Sequence, residues 1–326
     1  MKEANKIYLE QKIKIEKKLF KLLEKKHPYS LYKPCDYILK SSGKRLRAIL
    51  VLFSAKACGR SFNDVFNAAL AVEILHNFTL VHDDIMDNAS KRRGLPTLHV
   101  KYDLSTAILA GDNLIGVAYE NLLKDCNKNS KQVIKTFTQG IVEVCEGQSL
   151  DKEFETKEKV SIKEYLVMIK KKTAALAEMC CKIGAELSNA QSEDIRNLAA
   201  YGRNLGMAFQ IQDDLLDIVA DEGELGKKIG GDLLEGKKTF LFLSALEKAK
   251  GIDKQKLLDV IKNKGIKVNE IEYYKNLYFK LGVIQQAQKE VLKYSNRAIA
   301  NIKKIKNDEA KYLLKWLVES LIHRKK

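Results

Sequence analysis

Apolar residues recur at three- and four-residue intervals along almost the whole chain, the spacing of one face of an α-helix. The pattern predicts helices over residues 3–26, 45–58, 62–87, 103–124, 130–149, 161–188, 191–219, 237–250, 253–263, 270–303 and 307–323. No stretch alternates convincingly with the period of a strand. The three prolines, Pro28, Pro34 and Pro96, all lie in the first third, so nothing beyond Thr97 forbids long helices. Two stretches interrupt the pattern, 88–99 and 220–236; both are rich in glycine and charge, and each follows an acidic cluster at a helix end. No short repeat, low-complexity linker or shift of composition marks a boundary. The expected fold is all-α, a single domain over residues 1–326 with more than ten helices.

Composition changes this picture little. With 45% hydrophobic and 31% charged residues the chain is globular. No run approaches the roughly 20 uncharged apolar residues that cross a bilayer, and the N-terminus mixes Lys with Glu, so a spanning or secreted protein is not expected. The Lys-rich first helix suits a membrane surface or a partner helix, although the interleaved Glu residues more often mark a solvated face. The six cysteines (Cys35, Cys58, Cys126, Cys145, Cys180, Cys181) form no CxxC pair and read as free thiols of a reducing, cytoplasmic setting. The net charge of +16 suits an anionic partner such as nucleic acid, lipid or a phosphorylated substrate, and equally a protein with lysines scattered over its helix surfaces.

Chemistry enters with two matching acidic patterns, Asp83-Asp84-Ile85-Met86-Asp87 and Asp213-Asp214-Leu215-Leu216-Asp217, each inside an otherwise apolar helix. At about 100° per residue, the first and last aspartates of each lie within about 40° on the helix wheel. Like charges so placed destabilise a helix unless a cation lies between them, and oxygen ligands without Cys or His favour Mg²⁺. Because Mg²⁺ prefers phosphate oxygens, two such claws suggest a diphosphate held between them by bridging ions. Val72, Leu75, His76 and Thr79 continue the acidic face of the first helix. The expected result is a central substrate cavity with a charged mouth and an apolar shaft, fit for a diphosphate with a hydrocarbon tail. On the second helix Gln210, Asp213, Asp214 and Asp217 share one side, while Ala208, Ile211, Leu215 and Ile218 occupy the other.

Basic clusters accompany the claws: Gly43-Lys44-Arg45-Leu46-Arg47, Arg92-Arg93-Gly94, and the loop Gly226-Lys227-Lys228-Ile229-Gly230-Gly231-Asp232 with Lys237-Lys238-Thr239. Arginine pairs suit bidentate phosphate contacts. These clusters, with His76-Asn77-Phe78-Thr79-Leu80-Val81-His82, Gly111-Asp112-Asn113, Gly147-Gln148 and Lys172-Thr173-Ala174, run in order from Gly43 to about Thr239. In that order the chain resembles the trans-prenyltransferases that make polyprenyl diphosphates, from farnesyl and geranylgeranyl synthases upward.

The resemblance implies an isoprenoid-synthase fold and condensation of isopentenyl diphosphate with an allylic diphosphate. It implies a short-chain all-trans product, geranylgeranyl before farnesyl, with Mg²⁺ as cofactor and a homodimeric assembly. Asp83, Asp87 and Asp213 are then Mg²⁺ ligands, supported by Asp84 and Asp217. Lys44, Arg47, His76 and Arg93 match the isopentenyl diphosphate site, while Arg92, Lys172, Lys227 and Lys237 match contacts to the allylic diphosphate. Thr173 and Gln210 match groups facing the developing cation. Phe78 and Thr79, five and four positions before the first claw, match the floor that sets chain length; the helix wheel puts Phe78 on the side away from Asp83. His82 is read as packing. The chain departs from the family pattern at Ala48, where proline is usual, and in Asn88-Ala89-Ser90-Lys91, which lacks a common second acid. A terpene cyclase would share the first claw, but its second site mixes Asn, Ser and Glu. A basic nucleic-acid or membrane-binding protein would leave both claws unexplained, and a catalytically silent subunit would not need them.

Overall fold

The computed structural model describes residues 2–219 and 230–322. Helix is the dominant element, as the periodicity predicts: α1 (Lys2–Leu19), α2 (Tyr29–Leu39), α3 (Leu46–Ala57), α4 (Phe66–Met86), α5 (Leu98–Lys101), α6 (Leu104–Lys124), α7 (Ser130–Thr156) and α8 (Ile162–Ile169). A π-helical turn, Lys170–Ala174, precedes α9 (Ala175–Leu187) and α10 (Ser192–Val219). There follow α11 (Gly231–Leu234), α12 (Phe240–Lys248), α13 (Gly251–Asn263), α14 (Ile271–Lys280), α15 (Val283–Asn301) and α16 (Asp308–Ile322).

Several boundaries differ from the periodic reading. The first predicted helix stops at Leu19, and a second forms over Tyr29–Leu39 despite Pro34 in its interior. Pro34 forfeits one helical hydrogen bond, but it is buried with Cys35, Ile38 and Leu39. The predicted helix 270–303 breaks at Gly282, which takes φ 67° between α14 and α15. The stretch expected to lack strands holds a two-stranded hairpin, β1 (Lys91–Arg92) against β2 (Leu95–Pro96), with Arg92 opposite Leu95. Its connecting residues Arg93 and Gly94 have φ 53° and 79°. Positive φ at both positions of a two-residue loop is what a twisted hairpin requires.

The chain forms two compact units, Met1–Thr136 with Cys180–Arg196 and Ile305–Leu314, and Phe137–Met179 with Asn197–Lys304 and Lys315–Lys326. No division between them falls at a Pro- or Gly-rich linker, which is why composition gives no boundary. In the first unit α4 packs along α6, and α3 packs on α4. Small residues of α6, Ala107, Ala110, Gly111 and Ala118, let α4 approach closely. Residues Asn63–Met86 have the length and apolar content of a membrane span, but the stretch carries Asp64, Glu73, Asp83 and Asp84 and most of it is buried in protein. It is a core helix. The second unit is centred on Ile211, Leu215 and Ile218 of α10, packed with Phe240 and Phe242 of α12, Tyr274 and Tyr278 of α14, and Ile284 and Ala287 of α15.

Arg45 ties the first unit together. It is 2% exposed and opens α3 in a left-handed conformation, φ 52°. Its Nη2 donates to the carbonyls of Leu39 (3.2 Å) and Ser41 (2.6 Å), its Nε to Glu16 (3.4 Å) and its Nη1 to Glu73 (3.4 Å). One guanidinium thus joins α1, the end of α2 and α4. Removing it strands the buried Glu73 carboxylate, so Arg45→Ala is expected to destabilise the protein by about 3–5 kcal/mol. Replacing both partners, Arg45→Met with Glu73→Leu, should cost clearly less, because no buried charge is left alone. Urea unfolding followed by circular dichroism checks both.

Candidate functional site

In the first unit the acidic cluster sits in the last turn of α4, with Asp87 as its C-cap. Carbonyl dipoles make a helix C-terminus negative, so three carboxylates there are unfavourable without a cation. The three are not equivalent. Asp84 is 1% exposed, Asp83 is half-buried and Asp87 is exposed. Arg92, on β1, donates its Nε to Asp84 Oδ1 at 2.6 Å. Burial pushes the Asp84 carboxyl up, and Arg92 opposes that shift. Thr97 closes the hairpin segment back on the helix end, donating its hydroxyl to Ala89 O (2.6 Å) and its N–H to Ser90 O (3.2 Å).

The same unit gathers the predicted cations of the isopentenyl diphosphate set. Arg93 Nη1 donates to Ser41 Oγ (3.3 Å) and to Ser42 O. A β-carbon on Gly43 would lie 3.0 Å from that nitrogen, so the glycine makes room for the guanidinium. Arg47 is half-buried; burial lowers its pKa, and the nearby Glu73 opposes the shift. His76 is buried, and its pKa is held well below 6.5, first by burial and then by Arg47, Arg93, Arg92 and Arg45. It is therefore a neutral imidazole among guanidiniums. Lys44 is exposed, and its carbonyl accepts from Tyr8 Oη at 2.7 Å.

Phe78 is 8% exposed, and its ring meets that of His82 edge-on, centroids 4.7 Å apart. His82 does pack: a β-carbon on Gly111 would fall 2.2 Å from its Nε2. Thr79 is half-buried and donates its hydroxyl to His76 O at 2.8 Å.

In the second unit the acids occupy the last turns of α10, again a helix C-terminus. Asp213 is exposed, Asp214 is 5% exposed and Asp217 is half-buried. Asp214 accepts hydrogen bonds from Tyr165 Oη, from Gln210 Nε2 at 3.0 Å and from the Phe240 N–H at 3.2 Å. Burial raises the Asp214 carboxyl to about 6 against the pull of those donors. Asp217 accepts at Oδ2 from the Asp232 N–H (3.1 Å), and its carbonyl accepts from Gly230 N–H (2.7 Å).

The π-helical turn carries Lys172 and Thr173. Such turns are rare and concentrate at functional sites. Its close packing depends on Gly147 of α7, where a β-carbon would fall 2.1 Å from Lys172 N. Lys172 pairs with Asp151, and the Thr173 hydroxyl donates to Gln210 Oε1 at 2.8 Å. Of the adjacent lysines, Lys237 is exposed and lies 2.7 Å from Glu235. Lys238 is buried and donates to Phe154 O at 2.6 Å, capping the last turn of α7. Lys227 lies outside the described residues.

Residues 28–278 match the model of the polyprenyl synthetase family. The chain belongs to the polyprenyl synthetase family. It is 40% identical over 302 residues to the geranylgeranyl diphosphate synthase of Sulfolobus acidocaldarius, covering 91% of each chain. It is 43% identical over 244 residues to the short chain isoprenyl diphosphate synthase of Methanocaldococcus jannaschii, covering 74% of each. The crystal structure of geranylgeranyl pyrophosphate synthetase from Pyrococcus horikoshii Ot3 superposes with a TM-score of 0.90 at 35% identity, over 98% of both chains.

Within this polyprenyl synthetase, the donor chemistry fits a hard divalent cation. No set of three His, Cys, Asp or Glu side chains among the described residues is grouped as a ready-made metal site. An ion such as Mg²⁺ keeps waters and takes one or two carboxylates plus substrate phosphate oxygens, so sparse carboxylates at a helix C-terminus suffice. Arg45, grouped by sequence with a phosphate-suited basic cluster, is instead buried against Glu16 and Glu73, and sequence reasoning passed over Glu73, Asp151 and Tyr165, the buried or paired groups beside the predicted site residues. Only Glu73 left a trace, as a lone acid in the apolar run Ala68–Leu75.

The neutral state of His76 has a consequence for stability. Between its lowered folded pKa and about 6.5, the unfolded chain binds a proton that the folded chain does not, so stability falls as pH drops below about 6.5. In His76→Gln that part of the slope disappears, and melting temperatures recorded from pH 8 to pH 5 should decline less than in the parent. Parallel curves would contradict a neutral buried His76.

Proposed function

We propose that this chain is a Mg²⁺-dependent trans-prenyltransferase that condenses isopentenyl diphosphate with an allylic diphosphate to give a short-chain all-trans prenyl diphosphate, geranylgeranyl before farnesyl. The observation that carries the reading is the repeated division of labour in the acidic helices: Asp84 and Asp214 are buried and hydrogen-bonded, while Asp83, Asp87 and Asp213 are more accessible. Names of relatives support the product class, since the Sulfolobus acidocaldarius protein is a geranylgeranyl diphosphate synthase.

In this reading Asp83, Asp87 and Asp213 hold Mg²⁺, with Asp84 and Asp217 in support. Bound Mg²⁺ would neutralise the diphosphate and make it a better leaving group. Lys44, Arg47, His76 and Arg93 bind isopentenyl diphosphate, and Arg92, Lys172, Lys227 and Lys237 bind the allylic diphosphate. The allylic C1–O bond breaks, and its electron pair leaves with the diphosphate. Thr173 and Gln210 turn oxygen atoms toward the positive carbon, and the isopentenyl double bond supplies the electrons of the new C–C bond. A proton then leaves the isopentenyl-derived carbons, the departing diphosphate being the base, and restores an allylic double bond. No side-chain nucleophile is involved. Phe78 and Thr79 bound the growing chain.

The three-segment make-up of each unit supports one functional domain over residues 1–326. The free cysteines support a reducing, cytoplasmic setting. Exposed Leu104, Ile108 and Leu109 on α6 support a homodimer.

Purified protein incubated with isopentenyl diphosphate, each allylic starter and Mg²⁺ should release diphosphate and yield a twenty-carbon product on chromatography. Salt-dependent DNA binding without that release would favour a nucleic-acid protein instead. Asp83→Ala should lower turnover by several orders of magnitude, each factor of ten being about 1.4 kcal/mol of barrier, and Asp84→Ala by less. Phe78→Ala should lengthen the product; an unchanged length would remove Phe78 from the floor.

A further inference from the structure

The second unit contains a chain of hydrogen bonds that decides which atoms Gln210 and Thr173 can present. Asp214 Oδ2 accepts from the Phe240 N–H, a group that can only donate, and from Tyr165 Oη. Its other oxygen, Oδ1, faces the Gln210 amide at 3.0 Å. A carboxylate oxygen accepts and an amide nitrogen donates, so the Gln210 NH₂ must point to Asp214 and its carbonyl oxygen away. That carbonyl is 2.8 Å from the Thr173 hydroxyl, whose single proton is therefore spent on it. What remains on Gln210 Oε1 and Thr173 Oγ1 is lone pairs, with no acidic hydrogen directed outward.

The supporting groups are fixed more firmly than the two they orient. Tyr165 and Asp214 are 2% and 5% exposed, whereas Thr173 and Gln210 are half-buried. The Tyr165 ring lies 6.4 Å from that of Phe240, whose N–H serves the same carboxylate oxygen. Thr173 is carried by the π-helical turn, an irregularity that re-aims one residue of an otherwise regular run.

We propose that Tyr165 and Asp214 are positioning residues that lock the polarity of Gln210 and Thr173, so that both present electron-rich oxygens to the positive charge of the allylic substrate. Without the lock, the amide can turn its NH₂ group outward and the threonine hydroxyl its proton, and both dipoles would then oppose that charge. Asp214 is on this account no metal ligand, although it belongs to the acidic motif. The inference rests on the prenyltransferase reading, and its test separates the two.

Two inert probes are compared by calorimetry in Mg²⁺ buffer: a 3-aza allylic diphosphate, which carries a fixed ammonium charge, and the uncharged allylic thiolodiphosphate. The parent protein should bind both, the charged probe more tightly. Tyr165→Phe keeps the ring and removes one donor; it should weaken the charged probe by about tenfold, as loss of a hydrogen bond to a charged group does, and the uncharged probe by less than about twofold. Asp214→Asn lets the amide sit either way and should erase the preference for the charged probe altogether. With the natural substrates, kcat should fall in both variants while KM for either diphosphate stays within about twofold. A parent protein that binds neither probe would overturn the prenyltransferase reading itself. A parent that binds both, with variants that lose the two probes equally or keep the full preference, would overturn the lock alone.

Discussion

A carboxylate withdrawn from water must be given hydrogen-bond donors or opposite charge, and much of the functional chemistry of this chain is arranged around that requirement. Glu73, Asp84 and Asp214 are buried acids beside the predicted site residues, and each is engaged by different partners: the Arg45 guanidinium, the Arg92 guanidinium, and the neutral donors Tyr165, Gln210 and Phe240 N–H. Each pairing fixes something nearby. Glu73 also opposes the loss of charge on Arg47 and Arg93. Asp84 holds the hairpin strand that bears Arg92. Asp214 holds the amide of Gln210.

The adjacent aspartates of each motif follow from helix geometry. Neighbours on a helix are about 100° apart, so when one faces outward the next turns toward the protein. In both motifs it is the second that turns in, Asp84 and Asp214. The inward acid is held by buried protein donors, and the outer acids stand more exposed at the negative end of a helix. Every carboxylate added there raises the need for a cation. The motif thus combines a structural acid with acids that a divalent ion would stabilise.

This division also sets what was legible beforehand. The acids, the arginines and the helices that carry them announce themselves through spacing. Partners distant in sequence do not: nothing local connects Tyr165 to Asp214, Lys172 to Asp151 or Arg45 to Glu73. Lys237 and Lys238 look alike as neighbours, yet one is exposed and the other ends as a buried cap on Phe154 O. Breaks were missed where one residue acted against the period, at Gly282, or where tertiary burial overrode a local penalty, at Pro34. The Arg93-Gly94 turn was hidden because a two-residue strand is too short to show alternation.

Neutral His76 fits the same electrostatic logic. Arg45, Arg47, Arg92 and Arg93 all act on it in the same direction, and the buried acids of this group, Glu73 and Asp84, are already engaged by Arg45 and Arg92. A cluster with more guanidinium than carboxylate charge is stabilised by an anion, and a diphosphate is such an anion. A protonated imidazole in that cluster would compound the repulsion. A neutral one adds a hydrogen-bonding group without adding charge, so the positive charge of the cluster rests on the arginines.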